Sequence, residues 1–382
     1  MRVRNLLLSV IILVIIAFTF SQTFINWTNN NAPNGGDHNV PFEYEIIDSD
    51  VSGDCKMIGD IDGDGFSDIV IAGHKMYWYA SPNWTKTLIA NCNKEFTTDG
   101  ELGDVDDDGD LDVIVPDGPE TDNLLWFENP RPGGNPATDS WVRHVIGTIG
   151  GWGKDIELND FDGDGRLDVA TRSPQNAFIF FQNGTNTWNK VPIYHIGDGE
   201  GMGSGDVDGD GDIDLVCPGY WLENPKPEGD PSQDTWPKHD IDSLYNTIKA
   251  LVADIDNDGR SEVLFSNSEG SGEVRWYEAS DPENDLWTRH DIDYLNKSHT
   301  LQAYDMDLDG DIDVVASEMF ENVIIYYNEE GGLEWYKRVL VPGGLHNGVV
   351  GDIDNDGDFD IVGAMYIGHP PVKMWKNKLD PH

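Results

Sequence analysis

A nine-residue pattern, Asp-x-Asp-x-Asp-Gly-x-x-Asp, opens at Asp60, Asp104, Asp160, Asp206, Asp254, Asp305 and Asp352, and only the fifth copy departs from it, closing on Glu262. Each copy runs straight into a short stretch rich in Val, Ile and Leu. The openings recur every 44 to 56 residues. A repeat of that length with strand signals on both sides marks a propeller in which every blade carries one loop. The expected fold class is therefore all-β: a seven-bladed β-propeller with one acidic loop per blade.

The chemistry of one loop explains its spacing. Asp60, Asp62 and Asp64 alternate with Ile61 and Gly63, so a tightly coiled loop can turn three carboxylates to one centre. Gly65 supplies a sharp turn that a Cβ resists. The carbonyl of Phe66 and the carboxylate of Asp68 complete an all-oxygen set, which suits calcium better than zinc or copper. Applied to each copy, the expected ligands are Asp104, Asp106, Asp108, Asp110 and Asp112; Asp160, Asp162, Asp164, Arg166 and Asp168; Asp206, Asp208, Asp210, Asp212 and Asp214. The remaining three copies give Asp254, Asp256, Asp258, Arg260 and Glu262; Asp305, Asp307, Asp309, Asp311 and Asp313; Asp352, Asp354, Asp356, Asp358 and Asp360. In each set the seventh position offers its backbone carbonyl. Up to seven calcium ions are expected. The bidentate Glu of an EF-hand is missing at position twelve and the flanks are strands, so EF-hand and dockerin readings are rejected.

The chain holds 71 acidic against 24 basic side chains, a formal charge of −47. Seven calcium ions would bring it to about −33, and without them the loops should repel themselves open. Such acidity argues against nucleic acid and anionic membranes as partners, because both need clustered Lys and Arg. Cys55, Cys92 and Cys217 show no metal-type spacing, and three buried thiols are expected.

Arg2 and Arg4 precede the apolar run 6–20, which has the charge and length of a secretory leader or an uncleaved anchor. The expected organisation is a leader or anchor over 1–21, a polar linker over 22–40 and a propeller over 41–378. Location is expected to be secreted or cell-surface, with membrane contact only through that anchor, and the protein is expected to be a monomer.

Each unit divides into a strand entering the loop (57–61, 349–353), a strand leaving it (112–115, 313–316), an aromatic third strand and a fourth strand opened by Trp. Fourth strands are read at 84–89, 141–146, 188–196, 236–241, 287–292 and 335–340. The seventh unit ends without one, and residues 42–47 match it, so the N-terminal strand should complete the last blade and remove an open edge. The Pro-rich segments 129–139 and 224–234 are expected to be rim loops suited to partner contact.

The loops DIDGDGFSD, DVDDDGDLD, DFDGDGRLD, DVDGDGDID, DIDNDGRSE, DMDLDGDID and DIDNDGDFD resemble those of the FG-GAP and VCBS repeat family, and the resemblance covers residues 42–377. It implies a seven-bladed propeller like those of integrin α-chains and certain fungal lectins, with carboxylate ligands at loop positions one, three, five and nine. The same repeat builds several polysaccharide lyases.

His144, His239 and His290 recur in phase in the fourth strand and are read as packing elements; His74 and His369 stand alone. Six residues before each loop lie Asp54, Thr98, Lys154, Glu200, Ile248, His299 and His346, and the next position adds Asp99, Asp155 and Lys249. These should gather at one mouth of the central channel. If the protein is an enzyme, the resemblance points to a lyase in which His299 or His346 abstracts a proton and Lys154 stabilises the enolate. The leading expectation is a binding or adhesion module for glycans or extracellular proteins. No GxSxG, HExxH or phosphate-cradling loop is present.

Overall fold

The computed structural model describes residues 38, 40–92, 94–96, 99–173, 175–195, 200–243 and 248–379. The expected leader or anchor and nearly all of the expected linker lie outside the described residues, as does Thr98. Among the described residues no helix is long and apolar enough to cross a membrane.

The chain forms seven four-stranded antiparallel sheets set as the blades of a propeller. Blade 1 is typical, with strands Cys55–Gly59, Asp68–Ala72, Lys75–Ala80 and Thr85–Asn91 running outward in chain order. The exception to chain order is blade 7, where Phe42–Asp48 pairs antiparallel with Val372–Asn377 as the outermost strand, as expected from the truncated last repeat. One four-residue helix, Gly118–Thr121, interrupts the β-structure.

The second strand of each blade explains the apolar runs that follow the loops. In Asp68–Ala72 every residue is buried, but the two faces serve different neighbours. Ile69 and Ile71 pack with Val362 and Met374 of blade 7, whereas Val70 and Ala72 pack with Val113, Val115 and Phe127 of blade 2. A strand covered on both sides has no reason to alternate apolar with polar residues. Among the described residues the core is thus divided into apolar clusters at the seams between blades. The in-phase aromatics, Trp78, Trp126, Trp221, Trp276 and Trp375, lie fully inside these seams.

The strands entering the loops end earlier than expected, at Gly59 and Gly351. The second loop residue leaves the sheet to plug the seam: Ile61, Phe161, Ile255, Met306 and Ile353 are all fully buried. The fourth strand of blade 4 is also shorter than expected, Lys238–Asp240, and Cys92 is only half-buried, although none of the three cysteines forms a disulfide.

A repeated side-chain strap crosses these seams, and it was not anticipated. Asn129 donates its amide to the Ile61 carbonyl in the loop of the preceding blade at 2.9 Å. Gln182, Asn224, Asn328 and Asn377 do the same to Val105, Phe161, Ile255 and Met306. Asn328 also donates to Ile312 and accepts from the Gly332 N–H. Replacing it in N328A leaves these buried groups unpaired, and we expect a loss of about 3 kcal/mol in denaturant unfolding; a loss below about 1 kcal/mol would show the strap to be ornamental.

Candidate functional site

Two ends of the innermost strands carry the chemistry. At one end lie the acidic loops. The sixth residue of every loop is a glycine with φ between 88° and 102°, a left-handed conformation that side chains with a Cβ resist. The first carboxylate accepts backbone N–H groups from across the turn, as Asp104 does from Asp108 and Gly109. The ninth residue has a second task that the pattern did not disclose. Asp112 accepts the Val105 N–H on one oxygen and the Asn129 N–H on the other, at 3.0 and 2.8 Å, so it staples loop, second strand and third strand together. Glu262 makes the loop-side half of this contact, accepting the Ile255 N–H at 2.7 Å, so its extra methylene is accommodated there.

The residues present fit a hard cation. Carboxylate oxygens of Asp60, Asp62 and Asp68, and of Asp160, Asp162 and Asp168, lie within 4.8 Å of one another. Buried oxygens of Asp106, Asp110, Asp254, Asp307 and Asp358 have no hydrogen-bond donor, an arrangement that is costly unless a cation or proton compensates it. Loop 7 differs, because Lys376 and Lys378 reach Asp354 at 3.4 and 3.0 Å and hold its carboxyl below the ordinary range against the effect of burial.

Burial, followed by repulsion from Asp108, Asp210 and Asp356 respectively, pushes Asp110 to about 8, Asp212 to about 7 and Asp358 to about 8. A carboxylate raised in the folded state stabilises the fold below its unfolded value and loses that contribution as pH rises through its folded value. In chelator, therefore, the melting temperature should fall between about pH 4 and pH 8, and calcium should flatten that slope. A chelated protein that grows more stable over this window would contradict the assignment.

At the opposite end, the strands begin around a cavity of about 510 Å³. Asp54, Lys154, Glu200, Lys249, His299 and His346 line it, so the residues six positions before the loops do converge at one channel mouth. No side-chain position is described for Ile248. Lys154 pairs with Glu200, Lys249 reaches Asp155 at 3.5 Å, and His346 Nδ1 lies 3.2 Å from Asp54. The His299 and His346 rings are 4.2 Å apart. Burial, aided by the charges of His346 and Lys249, pushes His299 down to about 2, so its imidazole is neutral. Burial opposes the charge on Lys249, but Asp155 and Asp99 outweigh it and raise its pKa. Below this mouth the channel holds Glu101 and Glu157, both raised by burial, the latter to about 8.

Several lining residues escaped the sequence reading. Trp152 stands at the cavity 42% exposed, with the Lys154 ammonium 5.1 Å from its ring centroid. Tyr366, Glu269 and Lys297 also contribute. His74, set aside as isolated, lines the same cavity. His144, His239 and His290 behave as expected of packing elements: each stacks on a Trp at 4.0 to 4.5 Å and pairs with a Glu. The Pro-rich segments lie on the acidic-loop side, where Arg131 approaches the Ile61 carbonyl, and so face away from the mouth.

Fold and loops together define a seven-bladed propeller built from acidic-loop repeats. The FG-GAP-like repeat model matches residues 104–171, 160–217, 254–316 and 305–363, and the chain belongs to that family. Similar solved structures include a lectin of Agrocybe aegerita described as recognising non-reducing terminal N-acetylglucosamine, at 17% identity and TM-score 0.50, covering 77% of this chain and 80% of that one. A lectin from Burkholderia pseudomallei aligns at 13% identity and TM-score 0.60 over 87% of this chain and 97% of its own. A biofilm matrix protein of V. cholerae aligns at 10% identity and TM-score 0.52, covering 88% and 91%. At these identities the likeness is one of fold. No curated protein sequence matches the chain.

Proposed function

We propose that the protein is an exported, monomeric propeller, stabilised by calcium in its acidic loops, that binds glycans or glycan-bearing surface proteins at the channel mouth. The observation that carries this reading is the exposed Trp152 beside a cavity lined with charges of both signs. An aromatic face stacks on the C–H face of a sugar ring while flanking polar groups take its hydroxyls. The in-phase tryptophans, by contrast, are buried in seams and unavailable for stacking. Lectins and a matrix protein among the structures of this fold, together with the leader-like N-terminus, support the same reading and an extracellular location.

A glycan array on the calcium-loaded protein tests it. Saturable binding should weaken by about 10-fold or more in W152A, the loss of one well-packed aromatic anchor; binding that survives the substitution would move the site elsewhere.

A second reading, a polysaccharide lyase, draws on one arrangement: His346 beside Asp54 at 3.2 Å, in the same cavity lining as Lys154. An oriented imidazole and a nearby cation are what proton abstraction beside a uronate carboxyl requires. Growing absorbance of unsaturated uronic acid products, abolished in H346A, would establish it, and its absence on every acidic polysaccharide tested would remove it.

A further inference from the structure

The buried imidazole of His299 has an unmet demand at the channel mouth. The residue is 4% exposed, its Nε2 atom is buried without a hydrogen-bond partner, and it lines the cavity. Nε2 lies 3.8 Å from Glu269 Oε1, and one ligand atom from each of His299, Glu269 and Glu200 falls within 4.8 Å of the others. The three come from different blades: Glu200 just ahead of Gly203–Gly205 in blade 4, Glu269 in the turn before Ser271–Glu278 in blade 5, and His299 just ahead of Leu301–Tyr304 in blade 6.

We propose that His299, Glu200 and Glu269 bind a divalent transition metal of the zinc class at the channel mouth, separate from the calcium loops. One imidazole nitrogen with two carboxylate oxygens is a donor set for such ions rather than for calcium or magnesium, which prefer oxygen alone. Three protein ligands beside an open cavity leave a coordination position free for water or for an oxygen of a bound molecule. A metal there competes with Lys154 for Glu200, so occupancy loosens that ion pair and turns the Lys154 ammonium toward the cavity. The site stands on its own residues and does not depend on the glycan reading.

The test uses the full chain in excess calcium, which saturates the acidic loops, titrated with Co²⁺ and followed by its visible d–d absorbance, then competed with Zn²⁺. One equivalent of Co²⁺ should bind and be displaced by Zn²⁺. Affinity should fall on the order of 100-fold in H299Q and in E269Q, since even partners behind a ligand are worth 10–100-fold, and should be unchanged in H144Q. E269Q guards against a folding artefact, because the Glu269 side chain is half exposed. An absent cobalt band in excess calcium, or a band retained at full affinity in E269Q, overturns the site.

Discussion

Chelating calcium should lower the melting temperature of the propeller by tens of degrees. Each filled site at 100-fold excess over its dissociation constant contributes about 2.7 kcal/mol, which for a domain of this size is worth about 4 °C. Several sites acting on one cooperative ring would sum to about 20 °C or more. The physical reason lies in the loops, where buried oxygens of Asp106, Asp254 and Asp307 lack any donor and carboxylates crowd one another. The same loops plug the seams through Ile61, Ile255 and Met306 and are strapped to the next blade through Asn129, Asn328 and Asn377. Opening a loop therefore loosens two blades at once. A calorimetric scan with and without chelator reads this, and metal analysis reads the stoichiometry. An unchanged melting temperature, with no bound calcium, would refute the ligand assignment.

Deleting Phe42–Asp48 should abolish cooperative folding. The strand pairs along Val372–Asn377 from Phe42 opposite Asn377 to Asp48 opposite Val372. Tyr44 packs against Trp375 at 5.6 Å between ring centroids. Asp48 then ties blade 7 to blade 1 by accepting from the Tyr79 hydroxyl at 3.0 Å and from Lys86 at 2.7 Å. Without the strand, an edge of blade 7 is left open to pair with another chain, and Trp375 loses part of its cover. We expect a truncated chain that aggregates and lacks a sharp melt in circular dichroism. A truncated chain that melts cooperatively within a few degrees of the full chain would show that ring closure rests elsewhere.

What was legible in the sequence is what recurs in phase. The recurring loop set the number of blades, and the repeat placed Asp54, Lys154, Glu200, His299 and His346 at the same point of their inner strands, where the structure finds them around one cavity. Trp152, Glu269 and Lys297 were invisible because they sit in connections of unequal length, where no register predicts position. His74 stands alone in the sequence, and only the fold brings its turn, between the second and third strands, to the mouth. The straps did leave a signal, an Asn or Gln two or three residues past Trp126, Phe180, Trp221, Tyr326 and Trp375 of the third strands. The double hydrogen-bonding of Asp112 and its counterparts could not be read either, because a ligand and a staple require the same residue at the same place.

The most direct measurement is a crystal structure of the calcium-loaded protein soaked with the glycan that binds most tightly on the array. The proposed function predicts the sugar ring on the face of Trp152 with its hydroxyls among Lys154, Glu200 and His346. A sugar bound on the outer faces of the blades, with the channel mouth left to solvent, would contradict it.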